Sequence, residues 1–137
     1  MKQKNKELLL KDISARLPYR VKCISGVDDA VLIIEGINPN CCGASEIQVT
    51  YERSGINFDT KLSVIKPYLY PLSSIEELGL LEEYENIVCT LNNDKNNDFI
   101  FLNRIDQLLD FYHRNHLDYN GLIPKGLAIN CTNLNIY

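Results

Sequence analysis

The chain has 137 residues, of which 45% are hydrophobic and 23% charged, and its formal net charge is −4. These proportions are typical of a globular domain that buries its own core, and they exclude the highly charged, poorly hydrophobic composition of disordered chains. The acidic balance also argues against a surface for duplex nucleic acid, because such surfaces depend on clustered Lys and Arg.

No segment has the length or composition of a membrane anchor or an export signal. The longest apolar run covers residues 30–34, far short of a bilayer span or a secretory core. The five cysteines are an odd number in a chain large enough to need no cross-links, which favours reduced thiols. We therefore expect one cytoplasmic domain over residues 1–137, without a cofactor and without contact with a membrane.

The first predicted element is an amphipathic helix over residues 5–17. Leu9, Ile13 and Leu17 recur every four positions and form an apolar stripe, while Asp12 and Arg16 fall outside it. The helix should end at Pro18, since proline disfavours helical geometry in the residue before it.

Four strand-like segments follow, at residues 19–25, 30–36, 46–52 and 59–65. Turn-forming residues separate them, and each connection is short enough to join antiparallel neighbours. These features predict a four-stranded antiparallel meander over residues 19–65. Residues 30–34 are apolar on both faces, which indicates a central strand.

The second half should be helical. Prolines bracket residues 67–71, so this segment is expected to be extended but outside the middle of a ladder. Ser73 and Ser74 lie three residues before Glu76 and Glu77, a spacing that predicts a helix over residues 75–88, weakened by Gly79. A loop (92–98), a short strand (99–102), a helix (103–115) and a turn-rich tail (117–129) complete an α+β fold whose helical part covers residues 73–129.

Three blocks of the chain carry a family resemblance: ELLLKDISARLPY at residues 7–19, IKPYLYPLSS at residues 65–74 and NHLDYNGLIPKGLA at residues 115–128. In these blocks the chain resembles a family of small uncharacterised proteins encoded by phages, prophages and mobile elements of gut Bacteroidales. The resemblance implies a bacterial host cell as the setting. It implies no reaction, because the family has no agreed activity.

One cluster of polar residues has two interpretations. His113, His116 and Asp118 have the spacing of a facial metal set, or of a base with its orienting carboxylate. The structural interpretation is that Asp118 caps an Asx turn and that the histidines favour a helix C-terminus. Adjacent Cys41 and Cys42 match neither a redox nor a zinc motif, and no glycine spacing forms a phosphate loop.

Aromatic and cationic residues are concentrated in the second half of the chain. Tyrosines with a few cations suit either a protein interface or a pocket that stacks a planar ligand. We select seven candidate binding residues and no catalytic or metal-binding ones: Tyr68, Tyr70, Arg114, His116, Asp118, Tyr119 and Lys125.

The leading hypothesis is a non-enzymatic accessory protein that occupies a host component and has an anti-defence role. One version binds a host protein through residues 67–71 and 118–125. The other sequesters a small ligand such as a signalling nucleotide, often at the interface of a homo-oligomer. The alternatives are a small enzyme that uses His116 and Asp118, and a phage structural or packaging accessory.

Overall fold

The computed structural model describes residues 1–38, 47–93 and 98–137. The fold is α+β, with an N-terminal helix, a mixed six-stranded sheet in the order β4-β3-β2-β1-β5-β6, and two further helices. The helices are α1 (Gln3–Arg16), α2 (Leu81–Asn93) and α3 (Asp98–Arg114). The strands are β1 (Lys22–Ser25), β2 (Val31–Ile37), β3 (Ile47–Tyr51), β4 (Asn57–Thr60), β5 (Ile65–Leu69) and β6 (Ile129–Asn130).

The predicted meander is present in β1 to β4, which pair antiparallel in chain order. Strand β2 is interior to the sheet, and its residues Leu32, Ile33 and Ile34 are buried, as predicted. The prediction of four strands is wrong, because β5 pairs with the free edge of β1 and β6 adds a short parallel partner. The predicted strand at 59–65 divides because the chain must cross from β4 to the other side of β1, and it does so through the buried Leu62.

Pro67 lies within the ladder, contrary to the sequence prediction. Gly26 donates its N–H to the carbonyl of Val64, which makes these two residues a hydrogen-bonded pair of the β1–β5 ladder. Hydrogen-bonded and non-hydrogen-bonded pairs alternate along an antiparallel ladder, so Pro67 and Cys23 form a non-hydrogen-bonded pair. The nitrogen of Pro67 therefore points away from β1, and the pairing with β6 begins only at Tyr68. The missing N–H costs no bond in either ladder.

The helices begin at other residues than predicted. Gly79 adopts a left-handed backbone (φ +70), and α2 starts after it, at Leu81 rather than Ile75. Ser74 caps no helix and instead shares a hydrogen bond with Thr132. The predicted strand at 99–102 is the first part of α3, since these apolar residues continue the helical repeat.

Helix α1 packs Leu9 and Ile13 against the sheet and the turn-rich tail, in the main core. Two polar residues of α1 are completely buried, which the sequence did not predict. Arg16 binds both carboxylate oxygens of Asp12, at 2.7 and 3.1 Å, and donates to the carbonyls of Tyr112 and Leu117. This ion pair joins α1 to the end of α3.

None of the helices in the described ranges combines the length and the apolar character needed to cross a bilayer. Cys23 and Cys131 are buried free thiols, and Cys89 is an exposed one. Cys41 and Cys42 lie outside the described residues.

Candidate ligand-binding site

Three of the seven candidate residues meet around one small cavity. Tyr70, Arg114 and His116 line a space of about 190 Å³ near the end of α3. Its other lining residues are Leu78, Leu80, Asn115 and Tyr137. We refer to this space as the ring cavity.

Backbone hydrogen bonds hold the two sides of the ring cavity together. Tyr70 donates its N–H to the carbonyl of His116 at 2.9 Å and accepts the N–H of Asp118 at 2.8 Å. The chain reverses after α3 through a left-handed residue, His116 (φ 53), which allows residues 116–118 to run beside the extension of β5. The end of β5 and the end of α3 are thereby fixed relative to each other.

His116 is the polar group at the centre of this arrangement. The residue is buried, and its ring is stacked on that of Tyr137, with 3.8 Å between centroids and 10° between planes. Its Nδ1 has no hydrogen-bond partner in the structure. Burial lowers the pKa of His116 to about 4, assisted by the charges of Arg16 and Lys22. The imidazole is therefore neutral at pH 7.

Asp118 does not orient His116. Its two carboxylate oxygens accept the N–H groups of Leu122 and Ile123, at 2.7 and 2.8 Å. Asp118 thus stabilises the chain reversal, as predicted, but through these more distant amides and not through an Asx turn. His113 shares a hydrogen bond of 2.9 Å with the hydroxyl of Tyr119. Within the described ranges, no group of three or more His, Cys, Asp and Glu residues is placed to hold a metal ion. Neither the facial metal set nor the base–orienter pair is assembled.

Arg114 lines the ring cavity, but two carboxylates already pair with its guanidinium. Its guanidinium binds Asp110 at 3.0 Å and also pairs with Glu83. Two carboxylates already offset the charge of this guanidinium, so Arg114 is not a free cation for an anionic ligand.

The other candidate residues do not line this cavity. The side chain of Tyr68 is buried in the sheet, and Tyr119 stacks on Tyr112 at 5.2 Å. Lys125 donates to the carbonyls of Asn120 and Gly121 in its own turn. Residues 67–69 are buried in β5, whereas Tyr70 and Pro71 are half-buried, so these two are the residues of the segment 67–71 that a host protein could reach.

Sequence reasoning missed Tyr137, which no motif marks. Its hydroxyl donates to the carbonyl of Tyr68 at 3.0 Å and accepts the N–H of Lys22 at 3.1 Å. The ring also lies 6.1 Å from that of Tyr70 and 5.8 Å from the Lys22 ammonium. Burial raises the pKa of the Tyr137 hydroxyl well above its usual range, so it remains a neutral donor.

Comparison of the chain with protein-family models, with curated proteins and with solved structures gave no match.

Proposed function

We propose that this protein is a non-enzymatic binding protein that holds a small planar compound in the ring cavity. The observation that carries the proposal is the buried Nδ1 of His116, a hydrogen-bonding atom without a partner in a residue that lines the ring cavity together with Tyr70 and Tyr137. Buried polar atoms in folded proteins almost always have a partner, so an unpaired one next to a cavity is consistent with a missing ligand.

The size and charge of the cavity restrict the ligand. A cavity of about 150 Å³ accommodates benzene, so the observed volume corresponds to a single ring with small substituents. Because Arg114 is already paired with two carboxylates, a neutral ring fits better than a phosphorylated nucleotide. The sequence suggested a small ligand such as a signalling nucleotide, and the pairing of Arg114 favours a neutral ring instead.

In this proposal the protein acts by occupancy, as an accessory of a phage or mobile element that removes a small host compound. The resemblance of residues 7–19, 65–74 and 115–128 to such proteins supports the setting. The engaged carboxylate of Asp118 also favours binding over catalysis, because the enzyme hypothesis required that carboxylate to orient His116.

Native mass spectrometry tests the proposal. The purified protein is mixed with the low-molecular-weight fraction of a bacterial lysate, and we expect a defined mass increment below about 300 Da. Tyr70→Leu should abolish the adduct, whereas Tyr51→Leu, which changes a half-buried tyrosine of β3 outside the cavity, should retain it. No adduct, or an adduct equally stable in both variants, would contradict the proposal.

A second function, binding to a host protein, is favoured by the hairpin of α2 and α3. None of the described residues of α2 is buried, and Phe111 alone is buried among those of α3. Phe99 and Leu102 of α3 are 80% and 61% exposed. The exposed apolar side chains lie among acidic ones, so the complementary partner is a protein with a basic and apolar surface.

If the hairpin of α2 and α3 binds a host protein, capture of that protein must require the side chains of Phe99 and Leu102. Phe99→Asp combined with Leu102→Asp should abolish capture from a host lysate, and rising salt should weaken the wild-type complex. Leu134→Asp is the matched control, since Leu134 is 48% exposed on the tail. A protein captured equally by both variants would exclude the hairpin as its docking surface.

A further inference from the structure

Tyr137 occupies a place where two strands separate. The β1–β5 register runs through Ser25–Ile65, Ile24–Lys66 and Cys23–Pro67. One step further, the same register would pair Lys22 with Tyr68, as a hydrogen-bonded pair. Instead, the N–H of Lys22 and the carbonyl of Tyr68 both bind the hydroxyl of Tyr137. The phenol thus takes the place of a direct bond between the strands.

The segment that carries Tyr137 is lightly held. Residues 133–135 are exposed, and Asn135 has a left-handed backbone (φ 47). Besides the stacking of Tyr137 on His116 and the two bonds of its hydroxyl, the segment is held by a hydrogen bond from the Lys22 ammonium to the carbonyl of Ile136, at 2.6 Å, and by a turn from Leu134 to Cys131. Segments with few buried apolar contacts open at low free-energy cost.

The same segment borders two cavities. Tyr137 is part of the wall of the ring cavity. Asn135 and Ile136 border a larger cleft of about 650 Å³, which Lys22 also lines. Movement of residues 135–137 would therefore connect the ring cavity with this cleft and expose the face of His116 that Tyr137 covers.

We propose that the ring of Tyr137 fills a binding site for a small ligand, formed by the face of His116, the carbonyl of Tyr68 and the main-chain N–H of Lys22. We call this site the slot. Its ligand is a planar ring whose edge both donates and accepts a hydrogen bond. This inference rests on the proposed binding function, and it places the ring of the ligand in the space of the Tyr137 ring, at the wall of the ring cavity. The ring lies flat on His116, its donor meets the carbonyl of Tyr68, and its acceptor meets the N–H of Lys22. A phenol meets both requirements with one hydroxyl, and a pyrimidine lactam meets them with adjacent N–H and C=O groups.

The ring of Tyr137 also controls the affinity of the slot for its ligand. A ligand must displace Tyr137, so the apparent affinity is reduced by the fraction of molecules in which the segment is closed. Removing the ring, or loosening the segment, should therefore raise the affinity for a ligand of the correct edge chemistry.

The test compares ligands that differ by one methyl group. Tyr137→Ala is titrated by calorimetry with p-cresol and with 4-methylanisole, which cannot donate, and then with 1-methyluracil and with 1,3-dimethyluracil, which has no N–H. We expect Tyr137→Ala to bind p-cresol or 1-methyluracil at least tenfold more tightly than the wild type does, and at least tenfold more tightly than the analogue with the additional methyl group. The preferred pair identifies a phenolic or a pyrimidine-type source. A folded Tyr137→Ala that binds none of the four, or that does not discriminate within either pair, overturns the proposal.

A second variant covers the case in which Tyr137→Ala does not fold. Lys22→Ala removes the ammonium that holds Ile136 but retains the main-chain N–H of the slot. We expect Lys22→Ala to bind the preferred ligand at least threefold more tightly than the wild type does. Lys66→Ala, which changes an exposed lysine of β5, should leave the affinity for that ligand unchanged. An affinity equal to that of the wild type in Lys22→Ala would refute the proposal that a ligand must displace Tyr137. A lysate adduct that depends on Tyr70 but is unaffected by both slot variants would retain the proposed function and overturn only this inference.

Discussion

Replacing Arg16 by methionine should destabilise the fold severely. The guanidinium is completely buried and makes four hydrogen bonds, two to Asp12 and two to the carbonyls of Tyr112 and Leu117. Methionine fills much of the volume but leaves the Asp12 carboxylate buried with Asn120 as its remaining side-chain partner. Breaking a buried ion pair costs about 3–5 kcal/mol. The carbonyls of Tyr112 and Leu117 each lose one donor but keep a backbone N–H, from Leu117 and Tyr119, and so add little to this loss. We expect a loss of about 4–5 kcal/mol from a total of about 5–15 kcal/mol.

Urea unfolding followed by circular dichroism measures this loss. Removing both charges in Asp12→Leu/Arg16→Met should recover part of the stability, because no uncompensated charge then remains in the core. Lys11→Met, an exposed position on the same helix, is the matched control and should change the free energy of unfolding by less than about 0.5 kcal/mol. The reasoning fails if Arg16→Met loses less than about 1 kcal/mol, or if the double variant is no more stable than Arg16→Met.

Three further predictions concern titration, capping and thiol reactivity. As the pH falls from 7 to 4.5, His116 gains a proton in the unfolded chain near pH 6.5 but resists protonation in the folded one until about pH 4, so stability should fall by about 2–3 kcal/mol from this group. His116→Asn should flatten the pH dependence of urea unfolding by that amount, and an unchanged slope would contradict the burial of a neutral imidazole. Asp118→Ala leaves two backbone N–H groups without their acceptor and should cost about 3 kcal/mol in thermal unfolding, whereas Asp118→Asn, which keeps one acceptor, should cost about half as much. In timed alkylation read by peptide mass spectrometry, exposed Cys89 should react long before Cys23 and Cys131, because burial raises the pKa of those thiols to about 12 and about 11. Equal rates for the three thiols would show that the core opens frequently.

Local patterns predicted the parts of the fold that depend on neighbours in the chain. The four-residue repeat of Leu9 and Ile13 identified α1, and the apolar run at residues 30–34 identified the central strand β2. The chain reversal at Asp118 was predicted from the turn-forming residues that follow it, although its carboxylate binds the N–H groups of Leu122 and Ile123 and forms no Asx turn. In each of these cases the pattern itself lies within a short stretch of the chain.

The errors concern long-range partners. Pro67 was placed outside the ladder because proline lacks an N–H, but the register turns that nitrogen towards the side where β6 has not yet begun. Asp12 and Arg16 were read as polar surface, although their four-residue spacing is that of a helical ion pair; what buries them is the end of α3, about a hundred residues away.

The ring cavity was predicted only in part. Tyr70, Arg114 and His116 were selected for their chemistry, and the reversal after α3 brings them together. Tyr137 depends on a hydroxyl that fits between β1 and β5, and no spacing in the sequence encodes that fit. The two carboxylates that neutralise Arg114 come partly from α2, so the charge of the site was also hidden from the sequence.

The anchorage of Arg16 also affects the order in which the chain acquires its structure during synthesis. The carbonyls that receive its guanidinium are 96 and 101 residues further along the chain. At a synthesis rate of about 5–20 residues per second, α1 leaves the ribosome roughly 5–20 seconds before its polar partners exist. During this interval Asp12 and Arg16 can pair only with each other, in water, where such a pair contributes little. Leu9 and Ile13 can pack on the sheet earlier, but the guanidinium of Arg16 acquires its carbonyl partners only when residues 112–117 are in place. In ribosome-bound chains truncated before residue 112, the end of α1 should therefore be more accessible to proteases than in the complete fold.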